Sequence, residues 1–162
     1  MKNFKIIGFG GAGAKAISYI KERGIPGATF IAVDSLLNVN ADVHLSLSDF
    51  EEIIEHIGND IIYVIAGLGG SCGGQLAELA AKHEIDCCYC FMPYQFEGAE
   101  RNKKAENDYM RLTALGVDIV KMDNNVALEN ALNEQKNLTI GELQDKAFEF
   151  IYTDVLKRIF TI

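Results

Sequence analysis

Positive charge is scarce in this chain: 15 Lys and Arg stand against 23 Asp and Glu, for a formal net charge of −8. Binding to a nucleic-acid backbone or an anionic membrane relies on clustered Lys and Arg, so neither partner is expected. A mononucleotide is not excluded, because backbone N–H groups alone hold phosphates. No apolar stretch approaches the roughly 20 residues of a membrane span. The opening Met1-Lys2-Asn3-Phe4-Lys5-Ile6-Ile7 runs straight into a strand pattern with no secretory leader, so a cytoplasmic location is expected. Internal repeats, low-complexity tracts and an obvious linker are also missing, and 162 residues then read as one domain able to bury a real core.

Metal-ligand clusters are equally hard to find. His44, His56 and His83 are scattered with no second ligand at metal spacing. Cys87, Cys88 and Cys90 fall within an apolar run that reads as a buried strand, with Cys88 and Cys90 on one face and Cys87 on the other. They read as small core residues of a reducing compartment, and Cys-Cys-x-Cys without a second cluster lacks zinc spacing. Cys72 differs, lying in a loop at a helix N-terminus, a setting that lowers a thiol pKa. No catalytic partner is visible near it.

What the chain does have is two glycine-rich loops, Gly8-Phe9-Gly10-Gly11-Ala12-Gly13 and Gly67-Leu68-Gly69-Gly70-Ser71-Cys72-Gly73-Gly74. Each follows a short apolar run and precedes a helix-like stretch, which presents free N–H groups and a positive helix end to an anion. Two such loops on neighbouring strands point to one polyphosphate held between them.

The wider pattern alternates strands (5–9, 29–33, 61–66, 87–91 and 118–121) with helices (14–23, 49–57, 75–83, 101–115 and about 140–160). Ser48 with Glu51 three residues on has the form of a capping box, and Asp123-Asn124-Asn125 reads as the loop after the fifth strand. The fold class predicted is α/β: a doubly wound, mostly parallel sheet with helices on both faces, its ligand outside the strand C-termini. Taken alone, the first loop matches Gly-x-Gly-x-x-Gly, and Asp34, about 20 residues on, is placed to accept from a ribose hydroxyl. An NAD(P)- or FAD-binding domain is one reading of that pair.

The remaining motifs resemble a more specific family. Lys5-Ile6-Ile7-Gly8-Phe9-Gly10-Gly11-Ala12-Gly13 resembles the opening strand and loop of FtsZ, the bacterial tubulin relative. Phe30-Ile31-Ala32-Val33-Asp34-Ser35 resembles its second strand, and Ala66-Gly67-Leu68-Gly69-Gly70-Ser71-Cys72-Gly73 the tubulin-superfamily signature loop. Pro93-Tyr94-Gln95-Phe96-Glu97-Gly98, followed by Arg101, is close to the family's Pro-Phe-x-Phe-Glu-Gly segment. Asp154-Val155-Leu156 resembles its Asn-Asp-Val-Leu run.

The resemblance implies a guanine nucleotide, GTP or GDP, with magnesium as a possible companion. Gly10, Gly11 and Gly13 would approach the phosphates, and Gly69, Gly70, Ser71, Cys72 and Gly73 would supply N–H donors. Glu97 matches the ribose-binding glutamate, Arg101 an arginine near the phosphates, Asp123 the place of a guanine-contacting asparagine. Asp154 matches the carboxylate that accepts from guanine N1 and N2. Lys15 stands where an asparagine is usual, Cys72 replaces a threonine, Gln75 a glycine, Phe91 a threonine and Thr153 an asparagine. The family's third, γ-phosphate-sensing loop has only the glycine-free Leu36-Leu37-Asn38-Val39-Asn40-Ala41-Asp42 in its place.

The chain ends within the helix that normally joins two family domains, so a single domain without the second, and impaired hydrolysis, are expected. No catalytic residue is assigned. The function expected is guanine nucleotide binding, with self-association or a longer FtsZ-like chain as possible partner. A scaffold that kept the fold and lost the ligand is the alternative from a different class.

Overall fold

The computed structural model describes residues 3–34, 39–135 and 137–161. Its elements run β1 (Phe4–Phe9), α1 (Gly10–Arg23), β2 (Ala28–Val33), β3 (Val43–Leu45), α2 (Phe50–Ile57), β4 (Ile61–Gly67) and α3 (Gly73–Lys82). They continue with β5 (Cys87–Met92), a 3₁₀ turn (Gln95–Glu97), α4 (Ala99–Ala114), β6 (Ile119–Asp123), α5 (Asn124–Asn133) and α6 (Ile140–Phe160). One six-stranded sheet has the order β3-β2-β1-β4-β5-β6. Every pairing in it is parallel.

A parallel sheet covered on both faces needs apolar residues at consecutive strand positions, not alternate ones. The central strands supply this: every residue of Cys87–Met92 is buried, as are Ile62 to Ala66 of β4. Successive side chains then feed opposite layers. Cys88 and Cys90 join Val64, Ile53, Leu76, Leu79 and Leu112 in the layer that α2, α3 and α4 cover. Cys87 and Tyr89 join Tyr63, Ile17, Ile20, Phe148, Ile151 and Val155 beneath α1 and α6. Phe148 of α6 sets its ring edge-on to Phe91, with centroids 5.9 Å apart. Among the described residues, no helix is long and apolar enough to cross a membrane.

Three local readings of the sequence are corrected. β3 was not expected; it is only three residues long and pairs Val43 to Leu45 with Ile31 to Val33. The segment Asp123-Asn124-Asn125 is not a loop: Asp123 closes β6, and its carboxylate caps α5 by accepting from the N–H groups of Asn125 and Val126. Ser48 does not cap α2. Asp49 precedes that helix without a side-chain cap bond, because its carboxylate turns back to accept from Ser46 N and Oγ at 3.0 and 2.9 Å. Capping boxes form instead at Tyr94 and Glu97, before the 3₁₀ turn, and at Thr139 and Glu142, where α6 begins.

Helices α1 and α3 also start earlier than their apolar patterns suggest. α1 begins at Gly10, and α3 at Gly73, so part of each glycine loop is itself the first helical turn.

Candidate functional site

β1 and β4 lie side by side in parallel, with Phe9 opposite Ala66. The chain leaves β1 for α1 on one face and leaves β4 for α3 on the other. Sheet order reverses at that point, and the two departing loops bound a crevice at the strand C-termini. Gly10 and Gly69 make the sharp exits possible, with φ of +74° and +91° that side-chain-bearing residues rarely adopt.

The crevice has two connected recesses. One, about 190 Å³ and open to solvent, is lined by Phe9, Gly10, Gly11, Ala12, Asp34, Leu47, Gly67, Gly70, Ser71, Cys72 and Arg101. The other shares Ala12, Gly67 and Arg101 with it and adds Phe91, Tyr94, Glu97, Asn124 and Gln144 among others. Neither α1 nor α3 has a side-chain cap or an acidic residue in its first turn. Two positive helix ends therefore face one space with N–H donors to offer an anion.

Arg101, at the second position after Ala99 in α4, reaches both recesses; its Nε lies 3.5 Å from Glu97 Oε1. Glu97 is itself held by the Tyr94 N–H, which donates to its Oε2 at 2.6 Å. Asn124 and Asn125 fix the segment above β5: Asn124 Nδ2 donates to Met92 O at 2.9 Å, and Asn125 Nδ2 to Pro93 O at 3.2 Å. Asn125 Oδ1 accepts from Gln95 N at 2.8 Å. On the opposite wall, Lys104 Nζ donates to Gly70 O and Gln75 Nε2 donates to Leu47 O.

Of the residues singled out from the sequence, the crevice brings together Gly10, Gly11, Asp34, Gly70, Ser71, Cys72, Glu97 and Arg101. Other expected residues lie elsewhere. Gly13 is buried where α1 crosses the sheet, and a Cβ there would overlap Ile65 O, so its smallness serves helix–strand contact. Gly69 and Gly73 sit behind the signature loop against α4: a Cβ at Gly73 would overlap the Asp108 carboxylate, and one at Gly69 would lie 2.7 Å from Arg101 O. Gly69 N points to Asp108 Oδ2 at 3.5 Å, away from the crevice. Lys15 is exposed on α1 and does not line either recess.

Asp123 is spent as the α5 cap, and its neighbour Asn124 lines the crevice instead. Asp154 lines neither recess. Its Oδ2 accepts from Tyr89 OH at 2.5 Å and from Arg158 Nε at 2.8 Å, against the buried middle of β5. Burial pushes its carboxyl up, but the Tyr89 and Arg158 hydrogen bonds outweigh that and hold it below the usual carboxylate range. The α6 residue that reaches the crevice is Gln144. Of the stretch proposed to replace a third loop, residues 36–38 lie outside the described residues, as does Ser35; Asp42 accepts from Phe30 N at 2.8 Å.

Cys72 does not fit the reading of an activated thiol. Its Sγ donates to Gly67 O at 3.3 Å, and burial pushes its pKa up to about 11 despite the helix end. Among the described residues, no group of three or more His, Cys, Asp or Glu is placed to hold a metal ion. Sequence reasoning missed Asp108, the buried acid behind the signature loop, although Ala105, Asp108 and Leu112 share the buried stripe of α4.

No protein-family model matches the chain. In sequence it is similar to the cell division protein FtsZ of Haloferax mediterranei, 27% identical over an alignment that covers 78% of this chain and 42% of that protein. In structure it is similar to the FtsZ dimer of M. jannaschii, with a TM-score of 0.76 and 23% identity over 96% of this chain and 54% of that one. It also matches the GDP-bound CetZ1 monomer of Haloferax volcanii, with a TM-score of 0.66 and 18% identity over 94% of this chain and 58% of that one. The chain spans about two-fifths of the curated relative's length and just over half of the solved chains.

Proposed function

We propose that this chain, a divergent FtsZ-like protein, binds a guanine nucleotide in the crevice between its two glycine loops. One observation carries the reading: Gly10 and Gly11 of one loop and Gly70, Ser71 and Cys72 of the other line the same recess, with Arg101 beside them. Phosphates would lie against the uncapped starts of α1 and α3, where N–H donors and helix dipoles act together. The ribose and base would extend into the adjoining recess past Glu97 toward Asn124 and Gln144. Those two side chains are amides, and each offers both donor and acceptor to a base edge. One similar solved protein, CetZ1, is described as GDP-bound.

The reading concerns binding; no residue is assigned a hydrolytic role, and hydrolysis by this chain alone is expected to be impaired. Its partner in assembly would be a second copy or a longer FtsZ-like chain, in the cytoplasm. A thermal-shift titration with GTP, GDP, ATP and NAD, magnesium present, tests the core of the proposal. A ligand that binds only the folded state adds about 2.7 kcal/mol at roughly 100 times its dissociation constant. A shift with guanine nucleotides alone supports the proposal, and a shift with NAD alone would replace it by a dinucleotide site. Silence with all of them would favour a scaffold, the reading toward which Asp154's engagement with Tyr89 and Arg158 points.

A further inference from the structure

We infer that Asp108 is an internal anion behind the signature loop that restrains phosphate binding in the crevice and selects against the more highly charged polyphosphates, an inference that rests on the nucleotide reading above. Asp108 is 6% exposed and is the one charged residue buried among the described residues. A buried carboxylate is costly unless it is paired, yet the partners on offer are slight. The Gly69 N–H points to its Oδ2 at 3.5 Å. Lys104 and Arg101, one and two turns back along α4, are turned elsewhere, to Gly70 O and to Glu97 Oε1.

What the carboxylate has instead is the start of a helix. A Cβ built on Gly73 would overlap both carboxylate oxygens of Asp108, so they sit against the first residue of α3, and its being glycine leaves them room. That helix has no side-chain cap and no acidic residue in its own first turn. A negative charge beside its free N–H groups is favourable. Helix α4 thus supplies, from across the interface, the anion that α3 lacks.

The same helix start is what a phosphate would use. Gly70, Ser71 and Cys72, the three residues before Gly73, line the recess, so bound phosphates and Asp108 would stand on opposite sides of one short loop. The carboxylate is felt at Cys72: burial is the main cause that raises this thiol to about 11, and Asp108 adds to it while Lys104 opposes it. Two donors to an incoming anion are weakened together. The Gly69 N–H is drawn inward, and the roughly half a positive charge at the start of α3 is offset by a full negative one. Repulsion between buried like charges is poorly screened by salt and grows with the charge of the ligand. A diphosphate is therefore favoured over a triphosphate, relative to the same loop without the acid. The competing role for Asp108 is mechanical, holding the loop in shape through Gly69 N. An amide keeps that acceptor and removes the charge, so the two roles separate.

Calorimetric titrations with inorganic pyrophosphate, inorganic tripolyphosphate and GDP, at one fixed magnesium concentration, compare the parent chain with Asp108→Asn and Asp108→Ser. Each variant is first checked for a cooperative melt. Both neutral variants are expected to bind pyrophosphate and GDP about threefold or more tighter than the parent, and to gain a larger factor for tripolyphosphate. Loss of affinity in the variants would make Asp108 a positioning residue and overturn the inference. Unchanged affinities, or equal gains for pyrophosphate and tripolyphosphate, would overturn it too. In each of these cases the parent's own binding leaves the nucleotide site standing. The parent alone gives a second reading: it should bind pyrophosphate at least as tightly as tripolyphosphate. A parent that prefers tripolyphosphate by about tenfold or more would overturn the inference without any variant. Silence of parent and variants toward all three ligands would overturn the nucleotide reading itself, and this inference with it.

Discussion

The Tyr89 hydroxyl donates to Asp154 Oδ2 at 2.5 Å, joining the middle of β5 to the long helix α6. Tyr89 is fully buried, so its hydroxyl depends on that carboxylate. Arg158, one turn on, donates from Nε to the same oxygen and from NH1 to Asp118 Oδ2 at 3.0 Å, ahead of β6. The Asp-Val-Leu run that resembles a base-reading motif is thus a structural clasp here, with Val155 fully buried beside it.

Replacing Asp154 with Ala is therefore expected to lower stability by about 1–3 kcal/mol, since it strands the Tyr89 hydroxyl without an acceptor. Discrimination between GDP and ADP should stay as in the parent. Urea unfolding and paired nucleotide titrations read the two effects separately; lost guanine preference without lost stability would refute this assignment.

The same clasp gives a pH dependence. Asp154's carboxyl lies below its ordinary value of 3.8, so its contribution is fully present above that value and is lost as pH falls through the lower, folded-state value. Asp42 behaves alike: burial pushes it up, and the Phe30 N–H and the Lys21 ammonium more than compensate. Urea midpoints of the parent and Asp154→Asn, taken from pH 7 down to pH 3, should stay a constant distance apart until about pH 4 and converge below it. A gap that is constant to pH 3 would mean the carboxylate carries no such linkage.

Much of the fold was legible because it depends on long, repeated signals. The continuous apolar run through Cys87–Met92 and the glycine loops after β1 and β4 announced a two-faced parallel sheet and the place of its crevice. Single positions were less legible, because a motif match fixes residue type and order but not register. Asp123 and Asn124 are adjacent, yet only the cap geometry of α5 decides which of them faces the crevice. On α6 the difference is longitudinal: Gln144, which lines the crevice, and Asp154 are ten residues apart in one helix, about 15 Å at the helical rise. β3 escaped notice because Val43–Leu45 is too short to show alternation. Asp108 was hidden in a strongly polar helix, where only its phase with Ala105 and Leu112 marks it as buried.

The glycines of the first loop should separate under mutation. A Cβ at Gly13 would overlap the Ile65 carbonyl and lie 2.9 Å from Gly8 C, backbone atoms that cannot turn aside. Gly13→Ala should cost about 2 kcal/mol or more through overpacking. Gly11 has open space around its Cβ position, so Gly11→Ala should leave stability unchanged or raise it by up to about 1 kcal/mol. The same Gly11→Ala change should weaken nucleotide binding, because Gly11 lines the recess proposed for the phosphates and an added methyl leaves less room there. Melting curves and GDP titrations of both variants check this; a strongly destabilised Gly11→Ala would contradict the open geometry.

Base recognition is expected to reside in Asn124 and Gln144. Gln144→Ala should weaken GDP by roughly tenfold if its amide pairs with the base, the cost of leaving a buried polar partner unsatisfied. Asn124→Ala removes a ligand contact and also the bond to Met92 O, so it should lose affinity and some stability together. Titration of GDP, ADP and pyrophosphate distinguishes base from phosphate effects. Equal weakening of pyrophosphate by Gln144→Ala would remove it from the base-binding role.

The cysteines offer a test of how firmly the signature loop is closed. All four are free and buried. Burial pushes both Cys72 and Cys87 to about 11, so neither is appreciably thiolate at neutral pH. Cys88 is raised as well, through its hydrogen bond with Cys90, the two sulfurs 3.4 Å apart, and through burial. A chromogenic disulfide reagent at pH 7.5 should therefore find no fast-reacting thiol in the folded protein and all four in guanidinium. Cys72 is the informative one, because it lines the phosphate recess while its Sγ donates inward to Gly67 O. If a single thiol reacts quickly and Cys72→Ser abolishes that reaction, the loop opens in solution and the inward bond is transient. GDP should then slow the reaction in proportion to occupancy, since a phosphate seated against Gly70 and Ser71 covers the path to the sulfur. A fast thiol indifferent to saturating nucleotide would separate the loop's motion from the ligand and place the phosphates elsewhere.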